Sequence, residues 1–157
     1  MEPIKVSDIM TRTVITVSKE TPVSEIARLM KKYQVGSVIV VKDNYPVGIV
    51  TQGDIIRRVV AEGKDANSTK AGEIMSTNLV TVSPDADVLE AAKIMQMNRV
   101  KRLPVVKNGK LIGIITETDI TYHSPDIVEI LRFRDQLGPI GEFEEEYAGE
   151  KEEVEFE

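Results

Sequence analysis

The sequence contains no cysteine, no tryptophan and one histidine, and only 4% of its residues are aromatic. Without cysteine there can be no disulfide, no thiolate metal site and no cysteine nucleophile. The single histidine, His123, excludes a His-rich zinc site. With so few aromatics the core must be aliphatic, and an apolar content of 41% is enough to build one. No apolar run approaches the roughly 20 residues that span a bilayer. The first residues, Met1-Glu2-Pro3-Ile4-Lys5, lack the apolar centre of a signal peptide. A soluble cytoplasmic protein with no membrane partner is expected.

A basic surplus is missing too. The net charge is −6 over 157 residues. Residues 140–157 hold nine glutamates and one lysine, a net of −8, which leaves 17 acidic and 19 basic side chains in the rest. A nearly neutral body with an acidic tail argues against nucleic-acid binding, which needs a basic surface.

What the chain does have is an internal repeat. Gly48-Ile49-Val50-Thr51-Gln52-Gly53-Asp54-Ile55 returns as Gly113-Ile114-Ile115-Thr116-Glu117-Thr118-Asp119-Ile120, 65 positions later. The offset holds without a gap from Asp8/Glu73 to Ile55/Ile120, with 18 identities in 48 pairs. Two copies are too few for a solenoid. They suit a face-to-face pair in which each covers the other's apolar sheet.

Each copy predicts the same order of elements. A short apolar turn (Val6–Met10, with Glu73-Ile74-Met75 as counterpart) precedes a β-branched strand, Thr13–Val17 or Asn78–Val82. A helix follows, starting near Thr21-Pro22 in copy one. Its apolar face is Val23, Ile26, Ala27, Met30 and Tyr33, matched by Val88, Ala91, Ala92, Met95 and Asn98. Buried strands are expected at Ser37–Val41 and Leu103–Val106. Asp43-Asn44 and Asn108-Gly109 are turn signals, the latter of the primed hairpin type. Third strands cover Val47–Val50 and Leu111–Ile115. A helix from Asp54 to about Glu62 stops at Gly63. The methionines read as aliphatic core filling, although Met10 and Met75 stand where a ligand base could lie.

The whole set, in order and twice, resembles the CBS domain, named after cystathionine β-synthase, in its tandem form, the Bateman module. The residues that carry the resemblance are Asp8-Ile9-Met10, Glu73-Ile74-Met75, Lys101-Arg102-Leu103-Pro104-Val105-Val106 and the two Gly-x-x-Thr-x-x-Asp endings. It covers residues 5–123. It implies an α+β fold of two pseudo-symmetric βαββα repeats packed sheet to sheet. The divisions are repeat one at 5–63, a linker at 64–71, repeat two at 72–123, a C-terminal helix at 124–139 and an acidic, disordered tail at 140–157. It also implies two clefts for adenosine nucleotides, and a homodimer.

A carboxylate at a helix start is held by the backbone it caps and suits the paired hydroxyls of a ribose. The threonine three residues before it can meet ribose or phosphate, and the helix amino end favours an anion. The resemblance implies that each cleft is built across both copies. Site A would comprise Met10, Thr13, Ile15, Val35, Gly36, Thr116, Thr118 and Asp119, with Lys101 and Arg102 on the phosphates. Site B would comprise Ser37, Thr51, Asp54, Met75, Asn78, Val80 and Val100. The counterparts of Lys101-Arg102 are the uncharged Gly36-Ser37, and Gly53 replaces Thr118. Site A is therefore expected to take a phosphorylated ligand more strongly.

No nucleophile, acid–base pair or metal site is recognisable, so the chain is not expected to be an enzyme or to hold a catalytic cofactor. The expected function is regulatory: AMP, ADP or ATP (or S-adenosylmethionine) binds and alters dimer geometry, which a separate effector protein reads. The alternative is a ligand-free assembly module acting through dimer surfaces or the tail. A detached regulatory insert like that of inosine monophosphate dehydrogenase would carry the same residues. Ser124-Pro125 starts the last helix, whose stripe of Ile127, Ile130, Leu131 and Arg134 is expected to pack within a dimer. The tail either solubilises the protein or docks on a basic surface through Phe143, Tyr147 and Phe156.

Overall fold

The computed structural model describes residues 3–137. Both copies fold alike. Copy one runs α1 (Val6–Ile9), β1 (Thr16–Val17), α2 (Val23–Tyr33), β2 (Ser37–Lys42), β3 (Tyr45–Thr51) and α3 (Gln52–Ile55), which widens into a π turn at Ile56–Val60. Copy two runs α4 (Ala71–Ile74), α5 (Val88–Asn98), β4 (Arg102–Lys107), β5 (Lys110–Thr116) and α6 (Glu117–His123). A 3₁₀ turn, Pro125–Ile127, leads into α7 (Val128–Leu137). This is the expected α+β pair of repeats. The acidic tail and its three aromatic residues lie outside the described residues. Among those described, no helix is long and apolar enough to cross a membrane.

The hairpins β2–β3 and β4–β5 are antiparallel, with Val38 opposite Val50 and Leu103 opposite Ile115. Their tips adopt positive φ at Asp43-Asn44 (53° and 68°) and Asn108-Gly109 (53° and 80°), which explains the turn residues. Gly63, at φ 66°, follows the π turn as the expected stop.

The first strands are shorter than expected. β1 pairs in parallel with β2 only through Thr16 and Val17, and copy two has a single bridge, Val82 to Val105. The preceding residues leave their own sheet and cross to the other copy. Thr11 bridges Ile114 and Ser76 bridges Ile49, each pair exchanging two backbone hydrogen bonds of 2.8–3.0 Å. These bridges obey the 65-residue offset, so they are related by the pseudo-two-fold axis.

The cores are exchanged in the same way. Val6, Ile9 and Met10 are buried among copy-two residues such as Val88, Met95 and Ile120. Ala71 and Ile74 are buried among copy-one residues such as Val23, Ile26 and Val50. The Val6 N–H donates to the Ala86 carbonyl, and the Ala71 N–H to the Thr21 carbonyl, both at 2.8 Å. The expected linker, 64–71, thus ends inside copy one's core. Each copy's core is completed by the other's leading segment.

On α2, Val23, Ile26 and Met30 are buried, but Ala27 and Tyr33 are exposed, unlike the expected face. On α5 the counterpart Ala92 is buried and only Asn98 is exposed. The difference is α7, which packs on α5 and buries Leu131 in copy two's cluster. Copy one has no such cover among the described residues. The last helix therefore packs on its own copy two. Ser124 does not cap it through its side chain: the hydroxyl is buried and makes no hydrogen bond.

Gly48 and Gly113 permit the crossing. The three atoms closest to a Cβ built on Gly48 all belong to the Met75 side chain. On Gly113 a Cβ would fall 2.8 Å from Met10 Sδ and 3.0 Å from the Thr11 carbonyl oxygen. Gly48→Ala should lower urea stability by about 1–3 kcal/mol through overpacking. Combining it with Met75→Ala should be less damaging than the sum of the two. Gly113→Ala should be relieved less by Met10→Ala, because a backbone atom also opposes it.

Candidate functional site

The repeated Thr-x-x-Asp residues form reciprocal capping boxes. Thr51 Oγ1 accepts from the Asp54 N–H at 3.1 Å, and Asp54 Oδ2 accepts from the Thr51 N–H at 2.9 Å. Thr116 and Asp119 repeat both distances. The threonine is the N-cap and the aspartate the third helical residue, which corrects the expectation that aspartate heads the helix. The helices are short, so their dipoles add little. What the box does is fix the carboxylate: one oxygen is committed to the backbone, and the other faces a weaker partner. Asp119 Oδ1 accepts a long 3.4 Å hydrogen bond from Thr11 Oγ1 of the crossing segment. Asp54 Oδ1 stands 3.7 Å from Arg57 Nη2. Asp54 is buried and Asp119 half-buried.

Two clefts lie where the crossing segments meet the ends of the hairpins. Cleft A has a volume of about 870 Å³ and cleft B about 660 Å³. Cleft A gathers Thr13, Ile15, Val35, Gly36, Lys101, Arg102, Thr116 and Thr118 from the expected site A. Met10 does not line it, since its thioether packs on Gly113, and Asp119 borders it through Thr11, which does. Cleft B gathers Thr51, Asp54, Asn78, Val80 and Val100. Met75 packs on Gly48 instead, and Ser37 lines cleft A, not cleft B.

Several lining residues were not foreseen. Thr11, Gln34, Glu117 and Tyr122 line cleft A; their counterparts Ser76, Arg99, Gln52 and Arg57 line cleft B. The offset of 65 applied to the whole copy, rather than to the motif alone, was the signal for them. Gln34 and Arg99 end α2 and α5 in the left-handed conformation, at φ 54° and 53°. That conformation turns the chain into the cleft wall. Lys101 and Arg102 line both clefts. Cleft B is thus not the uncharged one: Arg57, Arg99, Lys101 and Arg102 all reach it.

Arg102 is half-buried between the clefts, its Nη1 3.5 Å from the Gly36 carbonyl oxygen. Desolvation lowers its pKa from the ordinary guanidinium value, opposed by the carboxylates of Asp54 and Glu117. It remains a cation at any physiological pH. Among the described residues no group of three His, Cys, Asp or Glu side chains could hold a metal ion. The arrangement offers fixed carboxylates, hydroxyls, cations and apolar walls, which is chemistry for binding a polar ligand.

Both the sequence and the fold have known relatives. The family model described as the CBS domain matches residues 6–61 and 71–126. An uncharacterized protein of Methanopyrus kandleri is 38% identical over 144 residues, covering 87% of this chain and 74% of that one. A hexameric CBS-CP12 protein from bloom-forming cyanobacteria superposes with a TM-score of 0.74 at 31% identity, over 99% of this chain and 82% of that one. A CBS domain pair crystallised with 5′-methylthioadenosine and S-adenosyl-L-methionine superposes with a TM-score of 0.71 at 28% identity, over 77% and 95% of the two chains.

Because each motif aspartate accepts the N-cap N–H of its capping box, Asp54→Ala and Asp119→Ala should each lower stability by about 0.5–1.5 kcal/mol without any ligand. Urea titration checks this. Asparagine, which keeps a capping oxygen, should be milder at both positions.

Proposed function

The chain belongs to the CBS-domain family, and from that premise we propose that it is a regulatory module binding an adenosine nucleotide between its two copies. One observation carries the proposal. Each copy presents a backbone-fixed carboxylate beside a cleft whose opposite wall belongs to the other copy. The second oxygen of that carboxylate makes a long contact, 3.7 Å to Arg57 or 3.4 Å to Thr11, which a ribose hydroxyl can replace. Ile15 and Val80 give an apolar surface for the base, and Lys101 and Arg102 give phosphate partners. The CBS pair crystallised with adenosine derivatives supports this ligand class.

AMP, ADP and ATP all meet these requirements, and S-adenosylmethionine meets the ribose part. The phosphate-compatible cations favour the nucleotides. We assign no catalytic role: the cleft groups are hydroxyls, carboxylates and cations with no arrangement for activating a nucleophile. The ligand acts instead by population shift. It touches both copies, so it favours the relative placement that closes the cleft, to the extent of its differential affinity. A separate effector protein reads that change.

Self-association fits the exposed apolar surface. Ile56 and Val60, one helical turn apart, are 61% and 68% exposed. That favours a homodimer, and it also supports the rival reading, an assembly module whose clefts stay empty. Thermal stability distinguishes the two. AMP or ATP at a hundred times its Kd should stabilise the protein by about 2.7 kcal/mol. An unchanged melting temperature with AMP, ADP, ATP and S-adenosylmethionine, on protein shown free of carried-over nucleotide, would leave the assembly reading. Separately, Ile56→Asp with Val60→Asp should reduce the mass measured by light scattering to that of a monomer.

A further inference from the structure

The two clefts are built from the same positions, but three of those positions differ in charge, and all three in one direction. Gln34 of cleft A is Arg99 in cleft B. Glu117 is Gln52, and Tyr122 is Arg57. Lys101 and Arg102 are common to both. Counting the motif aspartates, cleft A holds two cations and two anions, a formal charge of 0. Cleft B holds four cations and Asp54 alone, a charge of +3. The three substitutions account for the whole difference.

We propose that the clefts are specialised by ligand charge: cleft B takes a nucleoside di- or triphosphate, and cleft A a nucleoside or its monophosphate. This rests on the nucleotide-binding reading above and reverses the preference expected from the sequence. Arg57 is the specificity-determining residue. It lies folded over Gly53, where a Cβ would fall 2.6 Å from its Nη1 and 2.9 Å from its Nη2. Gly53 is therefore the space that Arg57 occupies, and not merely a lost hydroxyl. From there its guanidinium faces Asp54 Oδ1, the carboxylate oxygen the capping box leaves available.

That position makes the cleft selective. A ribose hydroxyl that takes Asp54 Oδ1 displaces Arg57. A nucleoside gives the displaced cation nothing in return. A polyphosphate gives it anionic oxygens within the same cleft, together with those met by Arg99, Lys101 and Arg102. Arg57 is half-exposed and its contact with the buried Asp54 is long, so the guanidinium can swing to another anion. In cleft A the same oxygen is held by the neutral hydroxyl of Thr11, so removing it uncovers no charge. Glu117 there repels additional phosphates.

The test is a swap that gives cleft B the residues of cleft A: Arg57→Tyr, Arg99→Gln and Gln52→Glu together. Each new side chain already occupies the same backbone position in the other copy, so the fold should hold; circular dichroism checks that it does. Calorimetric titration of wild type should find ATP bound at least about tenfold tighter than AMP, a preference that weakens with added salt. The swapped protein should lose that preference because ATP weakens, while adenosine, which no longer displaces a cation from Asp54, binds at least as tightly as to wild type. Arg57→Lys alone should keep most of it. An unaltered ATP-to-AMP ratio in the swapped protein overturns the proposal. So does an equal loss of adenosine, AMP and ATP.

Inorganic tripolyphosphate separates this proposal from the one it rests on. If no adenosine ligand binds wild type but tripolyphosphate does, and the swap abolishes it, the charged cleft stands and the nucleotide reading falls. If tripolyphosphate also fails to bind, both fall.

Discussion

Met10 lies against Gly113 and Met75 lies against Gly48, and every other feature of the molecule depends on that pair of contacts. Each methionine ends a short helix that has left its own copy and entered the core of the other. The segment after it hydrogen-bonds across to the far hairpin, at Ile114 or Ile49. A side chain on either glycine would hold the segments away. With the segments in place, residues 13–15 and 78–80 line the two clefts. The clefts are thus a product of the exchange, and neither copy has one alone.

Such a site couples binding to the relation between copies. Thr11 belongs to the first copy's leading segment, and Asp119 to the second copy's capping box. Arg102, from β4, contacts the Gly36 carbonyl of copy one and borders both clefts. A ligand seated between these groups interacts with both copies at once. Its binding energy can therefore bias how the copies sit, which is the physical content of a regulatory role.

Much of this was legible in the sequence because the repeat is gapless. The offset fixed the hairpins, the turns, the helices and the Thr–Asp pairs. Eight of the residues expected in site A do share one cleft. The misses have physical causes. β-branched residues at Thr13–Val17 read as a strand, but extended chain that crosses between copies pairs with little of its own sheet. Met10 and Met75 carry the repeated motif, yet their role is packing, which depends on glycines 103 and 27 positions distant. Ala27 and Ala92 are identical in the repeat, but only Ala92 has α7 nearby to cover its helix. The charge of cleft B does not follow from the Lys101-Arg102 pair, which borders both clefts. Arg57 and Arg99 lie at a helix turn and a helix end, outside the motif, and reach the cleft only through the folded backbone.

A crystal structure of the protein grown with AMP and ATP together tests the central claim most directly. The account predicts nucleosides in both clefts, a ribose hydroxyl within hydrogen-bond distance of Asp54 Oδ1, and a triphosphate against Arg57 and Arg99. Nucleotide bound elsewhere on the surface, or both clefts empty at concentrations that saturate the protein in solution, would contradict it.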